Sequence, residues 1–476
     1  MTAAGAPLLR RTDHVLRPDA SRVVSLPFLP GEEIRGAGLS RRAVVLERLL
    51  ALPDAEVDAA LIDVLTLFTA RHDDLAGLLD ERFALVARHV EHAGTLSSER
   101  RRLIGACMSQ EYAIESAALF NPSMVAHPDQ SGLPEGSTRF VMSVRGVGEG
   151  HVSCVELRTG VVDASSTVTF DTPGPTTTRP VRHDIEHSRS HLRRQNDELA
   201  GDPADADALL RALPDTFPPE AVRADPRLAW LSACSYDVTF PADGAIDSRV
   251  LLPGSAAERG GIEDLRLVEV EHADGRSRYL GTYTAFDGES VAPHLLETDD
   301  FVTFRLRRLT GPGAKNKGMA IFPRQVGGQY FALSRWDRES NSLAVSADLM
   351  HWDDLGTLSA PTLAWEIIQV GNCGSPIETP DGWLVLTHGV GPMRQYGIGA
   401  MLLDLEDPRT VIGSLAAPLL TPAPDERDGY VPNVVYTCGA LLHGETLVLP
   451  YGCSDAAVRV ALVDVPTLLE RIVPSA

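Results

Sequence analysis

Apolar positions in the first 118 residues recur at helical spacing. Val44, Val45, Leu49 and Leu50 follow the polar opening Ser40-Arg41-Arg42, and Leu61, Val64, Leu65, Leu67 and Phe68 resume the stripe after Pro53 interrupts it. Leu75, Leu78, Leu79, Phe83 and Val86 form a further stripe, and Leu103, Ile104, Cys107 and Met108 one more. These spacings predict an α-helical N-terminal extension over residues 1–118. From Asn121 the texture changes to short alternating segments between Gly and Asp turns, which predicts antiparallel strands; Phe140 to Arg145 is one. The alternation lapses between about 172 and 247. There Pro173, Pro175 and Pro180 mark a loop, His183 to Leu199 reads as helix, and Pro203, Pro214, Pro218, Pro219 and Pro226 mark linkers. A helical insertion is expected.

After Arg249 a crude repeat emerges. Strands ending in a polar or aromatic residue recur at Gly281-Thr-Tyr283-Thr, Ala332-Leu-Ser-Arg335, Val385-Leu-Thr-His388 and Val448-Leu-Pro-Tyr451, at spacings of 52, 53 and 63 residues. Each unit can supply a four-stranded blade, and Arg145 provides an equivalent mark before the insertion. Five marks predict a mainly β catalytic domain over residues 119–476, a five-bladed β-propeller whose marked residues converge on a central channel. Two stacked β-sandwiches are the alternative.

Composition is that of a globular chain: 476 residues, 44% hydrophobic and 23% charged, enough for two or three structural units. A net charge of −22 argues against nucleic acid as partner but leaves room for a small anion held by a few convergent cations. Six cysteines without a CxxC pair signal neither a zinc knuckle nor a disulfide framework. The segment Met1 to Leu9 is too short for the apolar region of a signal peptide, and Ala59 to Ala70, the most apolar helical stretch, is far below spanning length. A cytoplasmic address is expected.

Generic motifs fail. Gly146-Val-Gly148-Glu-Gly150 lacks the third-glycine spacing of a dinucleotide loop, Gly311-Pro-Gly-Ala-Lys-Asn-Lys317-Gly lacks the GK[ST] ending, and no GxSxG elbow occurs. His183, His187 and His191 would share one face of a helix, but a polar surface face is the better reading, and no metal is expected. Glu263-Asp264-Leu-Arg266 sets acids beside a base: either a surface ion pair or a general acid positioned by its neighbours. Two cations and a histidine, Lys317, Arg335 and His388, fall on or beside marked strands, where their convergence would hold a small oxyanion. Asp455, past Pro450-Tyr-Gly-Cys-Ser, is a candidate for sugar hydroxyls.

The motifs Phe120-Asn-Pro-Ser-Met-Val-Ala-His-Pro-Asp-Gln130, Arg145-Gly-Val-Gly-Glu-Gly-His151, Gly261-Ile-Glu-Asp-Leu-Arg266, Lys315-Asn-Lys-Gly-Met319, Gly382-Trp-Leu-Val-Leu-Thr-His388, Glu426-Arg-Asp-Gly-Tyr-Val-Pro-Asn433 and Tyr451-Gly-Cys-Ser-Asp455 are spread from residue 120 to residue 455. Together they resemble glycoside hydrolase family 130, the β-mannoside phosphorylases and their hydrolytic relatives, and most of all the branch acting on β-1,2-linked mannobiose and mannooligosaccharides. The resemblance implies a five-bladed propeller and an inverting reaction in which phosphate attacks the anomeric carbon and α-mannose 1-phosphate leaves. Asp264 would be the general acid, its proton passing through a mannose hydroxyl. Asn121, Ser123, Arg145 and Asp455 occupy positions that hold the mannose ring, and Lys317, Arg335, His388 and Tyr396 fall among the phosphate ligands. No cofactor is implied beyond inorganic phosphate as co-substrate.

Two residues depart from the family pattern. Gln369 stands where many members carry a lysine, leaving a neutral donor at the phosphate site, and Leu265 replaces a common proline. Gln369 keeps an inverting β-mannosidase in contention. That reaction needs a second carboxylate roughly 6.5–9.5 Å from the first to activate water, for which Glu263 and Glu378 are the candidates. A sugar-binding propeller without catalysis is the third reading, opposed by Asp264 and the basic set. The extensive apolar stripes of the N-terminal helices predict a homo-oligomer, a dimer in the simplest case. The partners expected are a β-mannoside oligosaccharide and phosphate, with neither nucleic acid nor membrane.

Overall fold

The computed structural model describes residues 8–31, 34–35, 39–199, 204–271 and 277–475. Residues 1–7, part of the expected extension and of the segment tested as a signal peptide, and Pro203, one expected linker mark, lie outside the described residues. The chain is mainly β with helices, and it divides into two compact units.

The smaller unit comprises residues 19–114 and 174–178. Helices Arg41–Ala51, Asp54–Phe68, Leu75–Val86 and Ser98–Cys107 pack Leu46, Leu49, Val57, Phe83, Val86, Leu103 and Ile104 into one core. Ser40, Asp74 and Ser97 cap three of them by accepting backbone N–H groups that the first turn leaves unpaired. Arg100 is buried and donates to the carbonyls of Leu49 and Leu52 and to Asp54, closing the end of one helix against the start of the next. This unit also holds an antiparallel strand pair, Val23–Pro27 with Ser109–Ala113.

The larger unit carries the sheets, and its first strand comes from the start of the chain. Leu9–Leu16 pairs antiparallel with Ala457–Asp464, Leu9 opposite Val463. The all-helical reading of residues 1–118 therefore needs correction at Leu9–Leu16, Val23–Pro27 and Ser109–Ala113. Their strand state is imposed by partners distant in sequence, which local periodicity does not register.

Four antiparallel meanders follow along the chain before the sheet that the N-terminal strand completes. Ala118–Ala126, Thr138–Val147, Ser153–Val162 and Val168–Phe170 form the first; Gly261–Glu271, Ser277–Phe286, Val291–Thr298 and Thr303–Arg308 the second. These two join into one 11-stranded sheet through a single parallel register pair, Gly261 with Ser153. Ala320–Ile321 to Asp353–Ser359 make a four-stranded sheet, and Gln369–Asn372 to Val411–Ser414 belong to a six-stranded one. The last sheet sets Thr446–Cys453 beside Ala457–Asp464, with Leu9–Leu16 outermost. Between the meanders lie apolar layers, such as Leu119, Met124, Phe140 and Met142 against Val448, Val458 and Val460.

The expected insertion is helical in part. Arg189–Glu198, Ala204–Ala212 and Pro226–Ala233 bury Leu192, Leu210, Leu228 and Leu231 with Phe217 and Val222. The single helix expected from His183 is not formed: Val181–His183 pairs with Tyr236–Thr239, and His187–Ser188 pairs with Thr216–Phe217. The three histidines therefore do not share a helix face. His191 alone lies in the helix, and its Nε2 contacts the Arg308 carbonyl and Gln195.

Candidate active site

Two β-bulges aim the central side chains. The strand Ala118–Ala126 shifts register between Phe120 and Ser123, and Gly261–Glu271 shifts between Glu263 and Arg266. Asn121 and Asp264 sit in those interruptions with φ of 49° and 56°. Asp455, in the turn after Thr446–Cys453, has φ of 48°. Asn and Asp tolerate the left-handed region better than other non-glycine residues, and bulges next to active sites re-aim a side chain out of the ladder. Such strain persists only where the surroundings over-determine it.

These residues meet in a cavity of about 260 Å³ lined by Asn121, Arg145, Asp264, Lys317, Arg335, Gln369, His388, Tyr396 and Asp455, with Arg266, Arg394, Tyr430 and Tyr436. Nine of the ten residues singled out in the sequence are thus brought together. Ser123 is the exception. Its buried hydroxyl accepts from the Leu267 amide at 3.0 Å, tying one bulged strand to the other beneath the cavity.

Asp264 is 6% exposed and closely held. Asn121 Nδ2 donates to its Oδ1 at 2.7 Å and Arg145 Nη1 at 3.1 Å. Arg145 Nη2 spans to Glu263 at 2.6 Å, its Nε donates to Ser153 Oγ at 2.8 Å, and its guanidinium lies 5.0 Å from the Phe120 ring centre. Arg266, fully buried, fixes the backbone: Nη1 donates to the Asp264 carbonyl at 2.9 Å, Nε to the Cys373 carbonyl at 2.7 Å and Nη2 to Tyr436 Oη at 2.9 Å.

The electrostatics split the carboxylates. Burial pushes Asp264 up, but the charges of Arg145, Lys317 and Arg266 and the Asn121 hydrogen bond outweigh it and hold the group well below the usual carboxylate range. Burial and the neighbouring Asp264 charge push Asp455 up to about 6, against the pull of Arg145, Arg394 and Lys317. Glu263 is raised by burial, an effect that Arg145 offsets and Asp264 reinforces.

The basic set occupies the other wall. Among the described residues neither Lys317 nor Arg335 makes a close ion pair, and Arg335 Nε is buried without a hydrogen-bond partner. His388 is 1% exposed, its Nδ1 lies 3.2 Å from the Asn372 carbonyl, and its ring stacks on Tyr396 at 6.0 Å and meets Tyr436 edge-on at 4.9 Å. Burial and the cations Arg335 and Arg266 drive its pKa well below the ordinary value, so the ring is neutral at physiological pH. Gln369 Nε2 lies 3.2 Å from His388 Nε2. The floor passes between these groups because residue 371 is glycine: a Cβ there would come within 2.5 Å of His388 Cε1 and 2.6 Å of Arg335 Nε.

Of the strand-end marks, Arg145, Arg335 and His388 line the cavity, whereas Tyr283 and Tyr451 do not. Both tyrosines are buried, and each donates to a glutamate in the turn before a strand, Tyr283 to Glu258 at 2.6 Å and Tyr451 to Glu426 at 2.5 Å. The expectation that all the marks converge fails there, because the repeat fixes the place along the strand and not the face. Glu378 lies outside the cavity, ion-paired with Arg324 at 2.8 Å. Arg394, Tyr430 and Tyr436 were missed by the sequence reading. Tyr430 lay inside a quoted motif without a role, while Arg394, in an exposed turn, carried no signal. Among the described residues no cluster of three His, Cys, Asp or Glu side chains fit to hold a metal is present.

Residues 244–472 match the glycoside hydrolase family 130 model, described as beta-1,4-mannooligosaccharide phosphorylase. A 1,2-beta-oligomannan phosphorylase of Thermoanaerobacter sp. (strain X514) is 32% identical over 228 residues, 46% of this chain and 73% of the relative. A beta-1,2-mannobiose phosphorylase of Listeria innocua is 30% identical over 270 residues, 53% of this chain and 74% of the relative. The solved structure of a Listeria innocua beta-1,2-mannobiose phosphorylase with beta-1,2-mannobiose aligns at a TM-score of 0.47 and 22% identity, covering 76% of this chain and 93% of that one.

Proposed function

Since this chain belongs to glycoside hydrolase family 130, we propose that it cleaves β-1,2-linked mannobiose or mannooligosaccharides with inorganic phosphate, with inversion, on a five-bladed β-propeller formed by the five successive antiparallel meanders. One observation carries the reading. The acid-bearing cluster of Asn121, Arg145 and Asp264 and the close-ion-pair-free cations Lys317 and Arg335 face one cavity. A phosphate oxygen forms the new bond to the anomeric carbon while the glycosidic bond breaks, and the proton from Asp264 reaches the leaving oxygen through a mannose hydroxyl. In the unloaded site Asp264 is held ionised. A bound phosphate dianion offsets the charges of Lys317 and Arg145 and lifts Asp264 towards protonation. Asp455 and Asn121, whose Oδ1 is buried without a partner, hold the mannose ring.

Phosphate arrives anionic and needs no base, whereas hydrolysis needs a carboxylate free to activate water. Glu263 is bound to Arg145 and Glu378 lies outside the cavity, which disfavours the mannosidase alternative. The test is incubation with β-1,2-mannobiose with and without phosphate. Mannose 1-phosphate is expected only with phosphate; free mannose at an equal rate without it overturns the reading.

The reading extends to a homodimer and a cytoplasmic address. Ile62 and Leu67 are 62% and 68% exposed on the helix Asp54–Phe68, and all six cysteines stand free. No helix among the described residues is long and apolar enough to cross a membrane. Light scattering at micromolar concentration tests the dimer, and a monomer overturns it.

A further inference from the structure

A second cavity, of about 550 Å³, lies against the first and shares Lys317, Arg335 and Gln369 with it. The side chains assigned to phosphate therefore form a partition with one side towards the sugar and another towards this outer space. Its remaining polar lining includes Asn316, Arg338 and Glu289.

Arg338 is held over the outer cavity by its own backbone. Its φ is 68°, its amide donates to the Arg335 carbonyl at 3.1 Å, and its Nε donates to Asn316 Oδ1 at 2.9 Å. Asn316 is itself left-handed at φ 59° and donates from Nδ2 to the Trp336 carbonyl. Two strained residues thus lock one another, and the terminal guanidinium nitrogens of Arg338 make no hydrogen bond or close ion pair among the described residues. Three cations, Lys317, Arg335 and Arg338, then face one space in a chain of net charge −22. A recess in which one sign of charge predominates, here three cations against one carboxylate, concentrates counter-ions at its mouth. Glu289 is the one carboxylate in the described lining and opposes them.

We propose that this outer cavity is the entrance for inorganic phosphate, with Arg338 as the capturing residue, so that phosphate reaches the partition while a mannoside fills the inner cavity. The proposal rests on the phosphorolytic reading above. Arg338 draws the dianion in, and Lys317 and Arg335 receive it from the outer side. Sugar and phosphate do not compete for one opening, and either binds first.

The test varies β-1,2-mannobiose and phosphate together at low ionic strength for the parent, Arg338→Gln, Arg338→Lys and Glu289→Gln. Arg338→Gln should raise the KM for phosphate about threefold and Glu289→Gln should lower it about twofold, both effects shrinking in ~0.5 M NaCl. Arg338→Lys should stay near the parent, and the KM for mannobiose should hold in all four. Unchanged phosphate KM in both neutral variants, or a parallel shift in the KM for mannobiose, overturns the entrance while phosphorolysis stands. A parent that turns over equally without phosphate overturns both.

Discussion

Asn121 Nδ2 donates to Asp264 Oδ1 over 2.7 Å, and each of the two residues interrupts its strand with a left-handed backbone. The pair fixes the carboxylate where two bulged strands meet. Asp264→Asn keeps the volume and an acceptor for Asn121 but cannot deliver a proton. Turnover should fall by a factor on the order of 10²–10⁴, the usual worth of a general acid, with circular dichroism unchanged. Activity within tenfold of the parent would remove Asp264 from that role.

Asp455→Asn should separate stability from function. The parent carboxyl is raised from 3.8 to about 6, so between those values the folded state holds a proton that the unfolded chain has released. The stability contributed by this group is full below pH 3.8 and is lost as pH rises through 6. Asp264 works in the opposite sense: its lowered pKa contributes stability above its ordinary value of 3.8 that is lost on acidification. Removing the Asp455 charge should therefore stabilise the protein at pH 7.5 by about 1–3 kcal/mol, with little gain at pH 4. Thermal melts at both values check this, and an equal Tm change at each pH contradicts it. Activity should drop, because the carboxylate held for sugar hydroxyls is gone.

Arg335→Ala removes a buried cation that has no close ion-pair partner among the described residues. Charged hydrogen bonds contribute about 1.5–3 kcal/mol, so the KM for phosphate should rise by roughly tenfold or more. Mannoside binding, measured by calorimetry without phosphate, should hardly change. A loss of mannoside affinity of the same size would place Arg335 on the sugar side.

Exhaustive chelation should leave turnover intact, because the chemistry assigned to Asp264 and phosphate requires no Lewis acid. Activity lost to chelator and restored by a divalent ion would count against the assignment.

Asp264, Lys317, Arg335, His388 and Asp455 were legible because they carry chemistry that their surroundings do not otherwise demand, whereas Asn121, Ser123, Gln369 and Tyr396 were legible only through the resemblance to the family motifs. Asn121, Asp264 and Asp455 are also of the residue types that left-handed backbone accepts, although a sequence alone does not say where a strand will bulge. What escaped was the face on which a strand-end residue lands. Tyr283 and Arg145 both stand on the second strand of their meander, yet one braces Glu258 and the other reaches Asp264. A one-residue difference in phase separates the two outcomes. His183 and His187 were misread because an apparent helical period does not reveal a strand partner distant in sequence, Tyr236–Thr239 for the first and Thr216–Phe217 for the second. Arg394 lacked any signal, since an exposed arginine in a turn is ordinary until the turn is seen above a cavity.

The edge strand Leu9–Leu16 bears on how the molecule is made. It leaves the ribosome about 450 residues ahead of the segment it joins, Leu9 lying opposite Val463. It waits unpaired while the meanders between are laid down, and the last sheet is completed only when Leu9–Leu16 finds Ala457–Asp464. A contact of that span closes late, because the loop between its ends costs entropy that no local pairing returns. Until then Ala457–Asp464 presents a bare edge that another copy of the chain could borrow, so a delay in the docking of Leu9–Leu16 is also a period of exposure to wrong pairing.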